Sequence, residues 1–408
     1  MWQLQGRHAG VAQALRGGTK EPMKQAFLYR LFPTKHQEAT LRTQLALCCE
    51  LYNAGLEERR EAYRIGGKSI TFTGQSAQLP AIKELRPEYE AIYSQVLQDV
   101  LHRLDKAFQA FFRRVKNGDV PGHPRFKPWF RYTSLTYPQY GFGIEACGPA
   151  PQGKNRQAKR WAKLTLAKVG TIWMNMHRPC KGMIKTCTIS RSATGKWYVS
   201  FSCNEVEPEP LPESEEEVGI DVGLETFAYL STDEQIENPG FFAEEAQALA
   251  RAQRRLSKAA KGTHKRKKRR KVVARIHERI KNRRQNFIHQ QVSWLISRFG
   301  LIAVEALVVR NMVKNPRLAK SIADVAWSMF FTHLILKAEE AARCVVKVPP
   351  AYTSQTCSVC GHKQTMPLSV RIYECEACDS VLHRDHNASR TILGLGRQAR
   401  VIPDAPAL

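Results

Sequence analysis

The first predicted element is a strand of alternating polar and apolar residues, and a helical pattern follows it. Residues 24–33 alternate enough to predict a strand, after which Pro33-Thr34 begins a helical stretch. Between Leu97 and Val115, apolar residues recur at spacings of three and four, the pattern of an amphipathic helix. Asn117-Gly118 supplies a stop signal for that helix. We therefore expect an α-helical lobe after the first strand.

The next segments again alternate polar and apolar residues. Residues 163–174 and 183–204 alternate around a turn at residues 193–195, which predicts antiparallel strands. Residues 205–217 then carry seven glutamates and three prolines. A segment that acidic and that rich in proline does not form a core element, so we place the main domain boundary there.

The second half alternates short apolar runs with helical stretches. Strands alternating with helices indicate an α/β domain. The predicted strands are 218–223, its hairpin partner 227–230, 301–304 and 345–348, and the predicted helical stretches are 245–298 and 323–344.

Length and composition narrow the class of protein. A chain of 408 residues allows about two or three domains. With 43% hydrophobic and 25% charged residues it has globular composition, and no apolar run approaches the roughly 20 residues of a membrane span. The absence of an apolar leader suggests an intracellular protein. The net charge of +26 favours a polyanionic partner, with nucleic acid first.

Two Cys-x-x-Cys pairs give the strongest local signal. Cys357 and Cys360 are followed, after fourteen intervening residues, by Cys375 and Cys378. Four thiolates at this spacing fit the tetrahedral preference of zinc and predict a zinc ribbon. Four thiolates leave no open coordination position, so the expected zinc ion is structural. Four unligated thiols or two disulfides remain the alternatives, and intracellular disulfides are rare.

Three acids occupy similar settings. Asp221 and Glu305 each follow a predicted buried strand, and Asp385 lies at the predicted start of a helix. A carboxylate in such a place is costly to bury unless it is paired or holds a cation. Together the three could hold two Mg²⁺ ions, the apparatus of phosphodiester hydrolysis. Taken singly, each acid has an ordinary interpretation as a helix cap or an exposed strand end.

Two stretches combine cations in ways that favour contact with nucleic acid. Residues 251–284 hold seventeen Lys or Arg residues and one acid, Glu278. A solvated helix face is the alternative, but a block this basic usually contacts phosphate. In the connector 124–140, cations mix with aromatic rings, which either stack on bases or pack in the core. The predicted contacts are Arg125, Lys127, Lys265, Arg266, Lys267, Lys268, Arg269, Arg270 and Lys271.

The order of these motifs resembles the TnpB family, transposon-encoded RNA-guided nucleases related to the type V CRISPR effectors. The resemblance covers about residues 24–395, including helical positions between 97 and 112 and the segment 122–127. Its most specific motifs are Gly219-Ile220-Asp221-Val222-Gly223, Val304-Glu305, Thr353-Ser354-Gln355 before the cysteine pairs, and Arg384-Asp385-x-Asn387-Ala388.

The resemblance implies an α+β multidomain fold. It implies an oligonucleotide-binding β-barrel (WED) with an inserted α-helical recognition lobe, and a RuvC-like α/β domain of the RNase H fold with a zinc-ribbon insert. The implied boundaries are an N-terminal extension 1–23, WED 24–33 and 131–208, recognition lobe 34–130, acidic linker 209–217, RuvC-like domain 218–350 and 381–396, zinc ribbon 351–380 and tail 397–408.

The resemblance also implies functional residues and partners. Asp221, Glu305 and Asp385 would hold two catalytic Mg²⁺ ions, and the four cysteines one Zn²⁺ ion. Guide RNA and target DNA would be the partners, in the cytoplasm or nucleoid of a prokaryote. The family commonly reads Asp-Arg-Asp where this chain has His383-Arg384-Asp385. The leading hypothesis is an RNA-guided DNA endonuclease, and the rivals are a DNA-strand transferase and a non-cleaving guide-directed DNA-binding regulator.

Overall fold

The computed structural model describes residues 13–15, 22–149, 160–367 and 369–401. The described residues fall into two compact units. The first spans Pro22–Glu207, and the second begins at Pro208 and includes the short N-terminal strand Gln13–Leu15. Most of the predicted N-terminal extension and the tail from residue 402 lie outside the described residues.

The first unit consists of one strand, a group of helices and six more strands. Its strands are β2 (Met23–Phe32), β3 (Ser134–Tyr137), β4 (Phe142–Pro149), β5 (Arg160–Leu166), β6 (Gly170–Asn175), β7 (Met183–Arg191) and β8 (Trp197–Val206). Its helices are α1 (Lys35–Gly66), α2 (Phe72–Ala77), α3 (Leu79–Leu85) and α4 (Ser94–Lys116), with 3₁₀ turns at Pro87–Ala91 and Trp129–Arg131.

The start of α1 follows from its sequence. The Thr34 hydroxyl accepts a hydrogen bond from the Gln37 amide at 3.2 Å, and the Gln37 side chain accepts one from the Thr34 amide at 3.0 Å. This reciprocal capping box satisfies two amides that a helix start otherwise leaves unpaired. The helix ends at Gly67, whose φ of 60° favours glycine.

The seven strands of the first unit form one antiparallel sheet in the order β3-β7-β8-β2-β6-β5-β4, curled into a nearly closed barrel. The predicted strands at 163–174 and 183–204 correspond to the hairpins β5–β6 and β7–β8. Tyr29 and Phe201 from the sheet share a single core with Leu41 of α1 and Leu101 of α4. The barrel and the helices therefore fold as one body.

The second unit alternates strands with helices. Its strands are β1 (Gln13–Leu15), β9 (Glu217–Val222), β10 (Thr226–Leu230), β11 (Gln235–Glu237), β12 (Leu301–Glu305), β13 (Cys344–Val348), β14 (Ile372–Glu374) and β15 (Val381–His383). Its helices are α5 (Phe241–Ser257), α6 (His264–Arg298), α7 (Val309–Met312), α8 (Ala319–Val325), α9 (Trp327–Glu340) and α10 (Arg384–Val401).

Six of these strands form a mixed sheet in the order β1-β13-β12-β9-β10-β11. β9, β12 and β13 run parallel, and β10 pairs antiparallel with β9 as the sequence predicts. β1, which lies in the predicted extension, pairs with the edge of β13. The predicted helix 323–344 is wrong in its bounds, because Ala326 adopts a left-handed φ of 58° that separates α8 from α9.

No helix among the described residues is both long and apolar enough to span a bilayer.

Candidate metal centres and nucleic-acid interface

Two of the three predicted acids lie side by side on parallel strands. In the pairing of β12 with β9, Val304 is opposite Ile220, so Glu305 and Asp221 are the next residues along the two strands. Both reach the carboxyl edge of the sheet, where parallel strands collect functional side chains. The sheet register therefore brings together acids that are 84 positions apart in the sequence.

Helix α10 brings the third acid to the same edge. Asp385 lies in its first turn, and the helix runs back along the sheet until Arg397 pairs with Glu217 at the start of β9, with an N–O distance of 2.6 Å. The helix can lie this close because of two glycines. A Cβ at Gly219 would stand 2.0 Å from the Ser389 carbonyl oxygen, and one at Gly396 would stand 2.5 Å from the Ala303 Cβ.

The electrostatics identify this edge as a cluster of like charges. Burial, followed by the charges of Glu305 and Asp385, raises the pKa of Asp221 well above its ordinary value, although the Arg384 charge opposes the shift. Burial also raises the pKa of Glu305, against a hydrogen bond of 2.6 Å that its carboxylate accepts from the Thr353 hydroxyl. Such a cluster is stabilised by cations.

His383, which stands where the resemblance suggests an acid, holds the start of α10. Its Nδ1 accepts a hydrogen bond from the Asp385 amide at 3.2 Å, as an N-cap side chain does. Its ring stacks on Tyr229 with centroids 5.0 Å apart and planes 13° apart. On the other side of the turn, Arg371 lies 4.0 Å from the Asp385 carboxylate. Sequence reasoning left the role of His383 open.

The four predicted cysteines form a compact cluster. The Sγ atoms of Cys357 and Cys378 are 3.8 Å apart and those of Cys360 and Cys375 are 3.6 Å apart. A tetrahedral zinc ion with bonds of about 2.3 Å would separate its sulfur ligands by about 3.8 Å. In the part of the chain that the structure describes, only this group of His, Cys, Asp or Glu brings three or more ligand atoms within 4.8 Å of one another. The three carboxylates are therefore spread more widely than this.

Local hydrogen bonds prepare two of the thiols to bind a cation. Burial opposes ionisation of Cys357, but hydrogen bonds from the Ser380 hydroxyl and from backbone amides lower the pKa of its thiol to about 6. The same hydroxyl lowers the pKa of Cys378. The thiolate is the form that binds zinc, so these hydrogen bonds favour the ligating state.

The cysteine cluster is joined to α10 by Asn387, which the sequence placed in a family motif without indicating its role. Asn387 is completely buried, and its side chain accepts a hydrogen bond from the Ser358 amide and donates one to the Thr356 carbonyl, each 2.8 Å long. Arg384, also buried, donates to the Pro367 carbonyl at 3.1 Å. Two polar residues in the first turn of a helix are the only sequence signal for this link. It joins the cysteine insert to the element that carries Asp385.

The seven predicted contacts from Lys265 to Lys271, called the basic block from here on, divide into two groups on α6. Arg266 donates to the Ala259 and Leu256 carbonyls at the end of α5, at 2.6 and 3.1 Å, and Arg269 donates to the Arg255 carbonyl. These two arginines join the helices, in addition to any contact with phosphate. The exposed members of the block are Lys265, Lys267, Lys268, Arg270 and Lys271.

The two predicted contacts in the connector also differ. Arg125 is exposed. Lys127 is half-buried with its ammonium 3.9 Å from the centre of the Tyr52 ring, and burial lowers its pKa. Lys127 therefore stabilises the first unit through a cation–π contact. A role in binding nucleic acid stays a prediction for both residues.

Comparison with known families gives three matches. The family OrfB_IS605, described as "Probable transposase", matches residues 200–316, and the "Cas12f1-like, TNB domain" family matches residues 327–392. A third family, described as "Helix-turn-helix domain", matches residues 23–68. Over that range the structure has β2 followed by the single long helix α1.

Solved structures that resemble the chain share its fold. A cryo-EM structure of a Cas12f1–sgRNA–target DNA complex matches with a TM-score of 0.57 and 14% identity, covering 91% of this chain and 98% of the other. The mini-RNA-guided endonuclease CRISPR-Cas_phi3 matches with a TM-score of 0.52 and 9% identity, over 93% of this chain and 92% of the other. At these identities the likeness concerns the fold alone.

Curated relatives match along nearly the whole chain. A "Putative RNA-guided DNA endonuclease" of Streptomyces pristinaespiralis is 34% identical over 94% of this chain and 92% of its own length. The "Putative RNA-guided DNA endonuclease InsQ" of Escherichia coli K12 is 29% identical over 91% of this chain and 92% of its own length. Together with the three-acid edge, the cysteine cluster and the family matches, these relatives establish that the chain belongs to the TnpB family.

Proposed function

We propose that this protein is an RNA-guided DNA endonuclease that hydrolyses DNA phosphodiester bonds at the edge formed by Asp221, Glu305 and Asp385. The observation that carries the proposal is that acids from three distant segments meet there, with the pKa of Asp221 raised by burial and by the other two. Relatives that align over more than nine tenths of the chain bear the name of this activity. Base pairing to a guide RNA would select the target DNA, and the protein would read a short flanking motif.

The domain assignment follows from this proposal. The barrel of the first unit is the WED domain, and helices α1–α4 are the recognition lobe inserted after β2. The mixed sheet with α10 is the RuvC-like nuclease domain. The cysteine cluster and the β14–β15 hairpin form the zinc ribbon between β13 and α10.

The carboxylate edge fits divalent cations, because its ligands are hard oxygens and its negative charge is only partly offset by Arg384. Two bound Mg²⁺ ions would activate water and stabilise the leaving oxygen of the cleaved strand. The chain's own contribution is position. Parallel strands hold Asp221 and Glu305, the Thr353 hydroxyl orients Glu305, and the close-packed helix α10 sets Asp385 against them.

The cysteine cluster fits one structural Zn²⁺ ion, on the sulfur separations and on the spacing of the two Cys-x-x-Cys pairs. The ribbon lies between β13 and α10, so the ion would keep this insert folded beside the acids. The exposed cations of α6 would bind phosphates of the guide or of the heteroduplex. Such contacts supply affinity that depends on salt and carry no sequence information.

A cleavage assay tests the proposal. Purified protein with a guide RNA is incubated with a labelled plasmid that carries the matching site, with and without Mg²⁺. We expect cleavage to require Mg²⁺ and to fall at least about 100-fold in Asp221→Asn, because several kcal/mol of transition-state stabilisation are lost. Guide-dependent binding of DNA should remain.

Glu237→Gln is the matched control, since this exposed acid lies on β11 of the same sheet. Full cleavage by Asp221→Asn would refute the assignment of the centre. Products joined to a new DNA end would instead favour a strand transferase, the second candidate, which the "Probable transposase" description of the family matching residues 200–316 supports.

A further inference from the structure

The first unit exposes a basic and aromatic surface between the end of α4 and the start of β3. Residues 112–131 contain six Lys or Arg residues and a single acid, Asp119. A cluster of exposed apolar side chains usually marks a contact surface. The exposed fractions are Phe112 61%, Val115 51%, Val120 92%, Phe126 47%, Trp129 69% and Phe130 54%.

The backbone that carries the two most prominent rings is held on both sides. Before the 3₁₀ turn Trp129–Arg131, the Asn53 side chain accepts from the Lys127 amide at 2.8 Å and donates to the Lys127 carbonyl at 2.9 Å. After the turn, the Tyr132 amide donates to the Trp129 carbonyl at 3.3 Å. The rings are thus exposed on a fixed turn.

The core beneath this turn is filled by other residues. Tyr132 is 4% exposed, and its ring lies 6.5 Å from that of the buried Tyr52. Among the rings of the connector, Tyr132 therefore packs in the core while Trp129 and Phe130 face solvent. Trp129 therefore contributes little to the core of the unit, and most of its ring surface is accessible to a partner.

We infer that Trp129 stacks on an unpaired base of single-stranded nucleic acid while Arg125 and Arg131 contact the neighbouring phosphates. The excess of cations selects a polyanion, and the exposed ring faces select bases that are not already stacked in a duplex. This inference deepens the proposed function, and rests on it for the identity of the strand, which would be the opened target DNA.

The geometry of the pair assigns different roles to the two rings. The centroids of Trp129 and Phe130 are 6.1 Å apart and their planes are 89° apart, so they do not form one flat platform. The larger and more exposed indole offers a free face for stacking, and Phe130 borders it edge-on. Replacing Trp129 should therefore weaken binding more than replacing Phe130.

The test is a set of binding titrations with the full chain. Labelled oligo(dT) and a blunt duplex of equal length are titrated across several salt concentrations. The variants are Trp129→Ala, Trp129→Phe, Phe130→Ala and Arg131→Gln. Trp173→Ala, an exposed tryptophan on β6 with 48% exposure, is the control for loss of any surface indole. Circular dichroism verifies that each variant is folded.

Trp129→Ala should lower the affinity for oligo(dT) roughly 5- to 100-fold at every salt concentration, leaving the slope of log K against log salt unchanged. Trp129→Phe should restore most of that affinity, and duplex binding should not change. Arg131→Gln should flatten the slope for oligo(dT) by about 0.7, since one phosphate contact is removed. Trp173→Ala should bind as the wild type.

Oligo(dT) affinity that is unchanged in Trp129→Ala would overturn the inference, as would an equal loss for single strand and duplex. If Trp129→Ala instead altered only self-association in sedimentation, the surface would be a protein contact and the inference would be wrong. Oligo(dT) binding needs neither guide nor cleavage. A failed cleavage assay would therefore refute the proposed function without deciding this test, and the reverse also holds.

Discussion

The carboxylate edge and the cysteine cluster are both suited to cations, but they are assembled in different ways. The four cysteines come from two Cys-x-x-Cys pairs within one span of 22 residues. Hydrogen bonds from Ser380 and from backbone amides lower the pKa of Cys357. The three acids come from β9, β12 and α10, and burial followed by the charges of Glu305 and Asp385 raises the pKa of Asp221. The cysteine site is made by local chain geometry, and the acid site is imposed by the tertiary fold.

The difference has an energetic meaning. A zinc ribbon gains its folding free energy from the metal, so the loss of a metal ligand also unfolds the ribbon. The acid edge is held by a packed sheet and helix, and without cations its carboxylates oppose that packing. Removing a ligand should therefore destabilise one site and stabilise the other.

The largest expected effect is on the cysteine side of this comparison. Cys375→Ser removes one of four thiolate ligands, and a structural zinc site contributes on the order of 10 kcal/mol. We expect residues 351–380 to unfold and zinc to be lost, while the mixed sheet survives. Metal analysis and hydrogen exchange of the insert measure this. Cys344→Ser on β13 is the control, and a zinc-free insert with wild-type protection would contradict the prediction.

The next effect has the opposite sign. In magnesium-free buffer with zinc retained, Asp221→Asn should raise the melting temperature at neutral pH, because it removes a buried charge from a repelling cluster. Mg²⁺ should stabilise the wild type and have little effect on the variant. A lower melting temperature for Asp221→Asn would show that the carboxylate supports the fold.

The same cluster predicts a pH dependence. The pKa values of Asp221 and Glu305 are raised in the folded state, so the folded chain binds protons more tightly than the unfolded chain. Their contribution to stability is present at acid pH and is lost as pH rises through the raised values. Melting curves of the magnesium-free wild type should show this loss, and Asp221→Asn should show less of it. Equal pH profiles would count against the repulsion.

Asn387 links the two sites, and its replacement should have an intermediate effect. Asn387→Ala leaves the Ser358 amide without its partner and the Thr356 carbonyl with only the Thr391 hydroxyl, at a cost of about 1–3 kcal/mol. We expect lower cleavage and faster loss of zinc to a chelator. Asn387→Asp keeps the acceptor for Ser358 but sets a buried carboxylate against the Thr356 carbonyl, so it should lose at least as much. Unchanged zinc release in Asn387→Ala would mean that the two sites are not coupled through this residue.

The smallest expected effect concerns the cap of α10. His383→Ala should lower cleavage by a few-fold, since losing an N-cap costs about 1 kcal/mol and loosens the turn that carries Asp385. His383→Asn, which can cap, should cleave nearly as the wild type, whereas His383→Phe keeps only a ring to stack on Tyr229. Equal rates for the Asn and Phe variants would contradict a capping role.

Sequence patterns predicted those parts of the protein that depend on short-range order. The spacing of the cysteines identified the cluster, and apolar runs located β9, β10 and β12, because strand burial and ligand spacing are local properties. The meeting of Asp221 with Glu305 needed the register of two distant strands. The proximity of the two acids was therefore a hypothesis based on motif order and family resemblance, because the spacing of the acids in the sequence did not indicate it.

Local sequence patterns could not predict several other features. The left-handed Ala326 has no glycine signal, so the break between α8 and α9 was missed. Lysines and arginines look alike in a basic run, but Arg266 and Arg269 face α5 and Lys127 faces Tyr52. Which side of a helix or loop a cation occupies depends on tertiary contacts.

Gly219 and Gly396 make the protein intolerant of change at places that touch no ligand. With a Cβ only 2.0 Å from Ser389 at one glycine and 2.5 Å from Ala303 at the other, even a methyl group would push α10 off the sheet. Asp385 would then move away from Asp221 while every acid and every cysteine remained in the sequence. A survey of natural or engineered variants that checks only the acids and cysteines would score such a chain as active, so these two glycines belong among the positions that define a working nuclease.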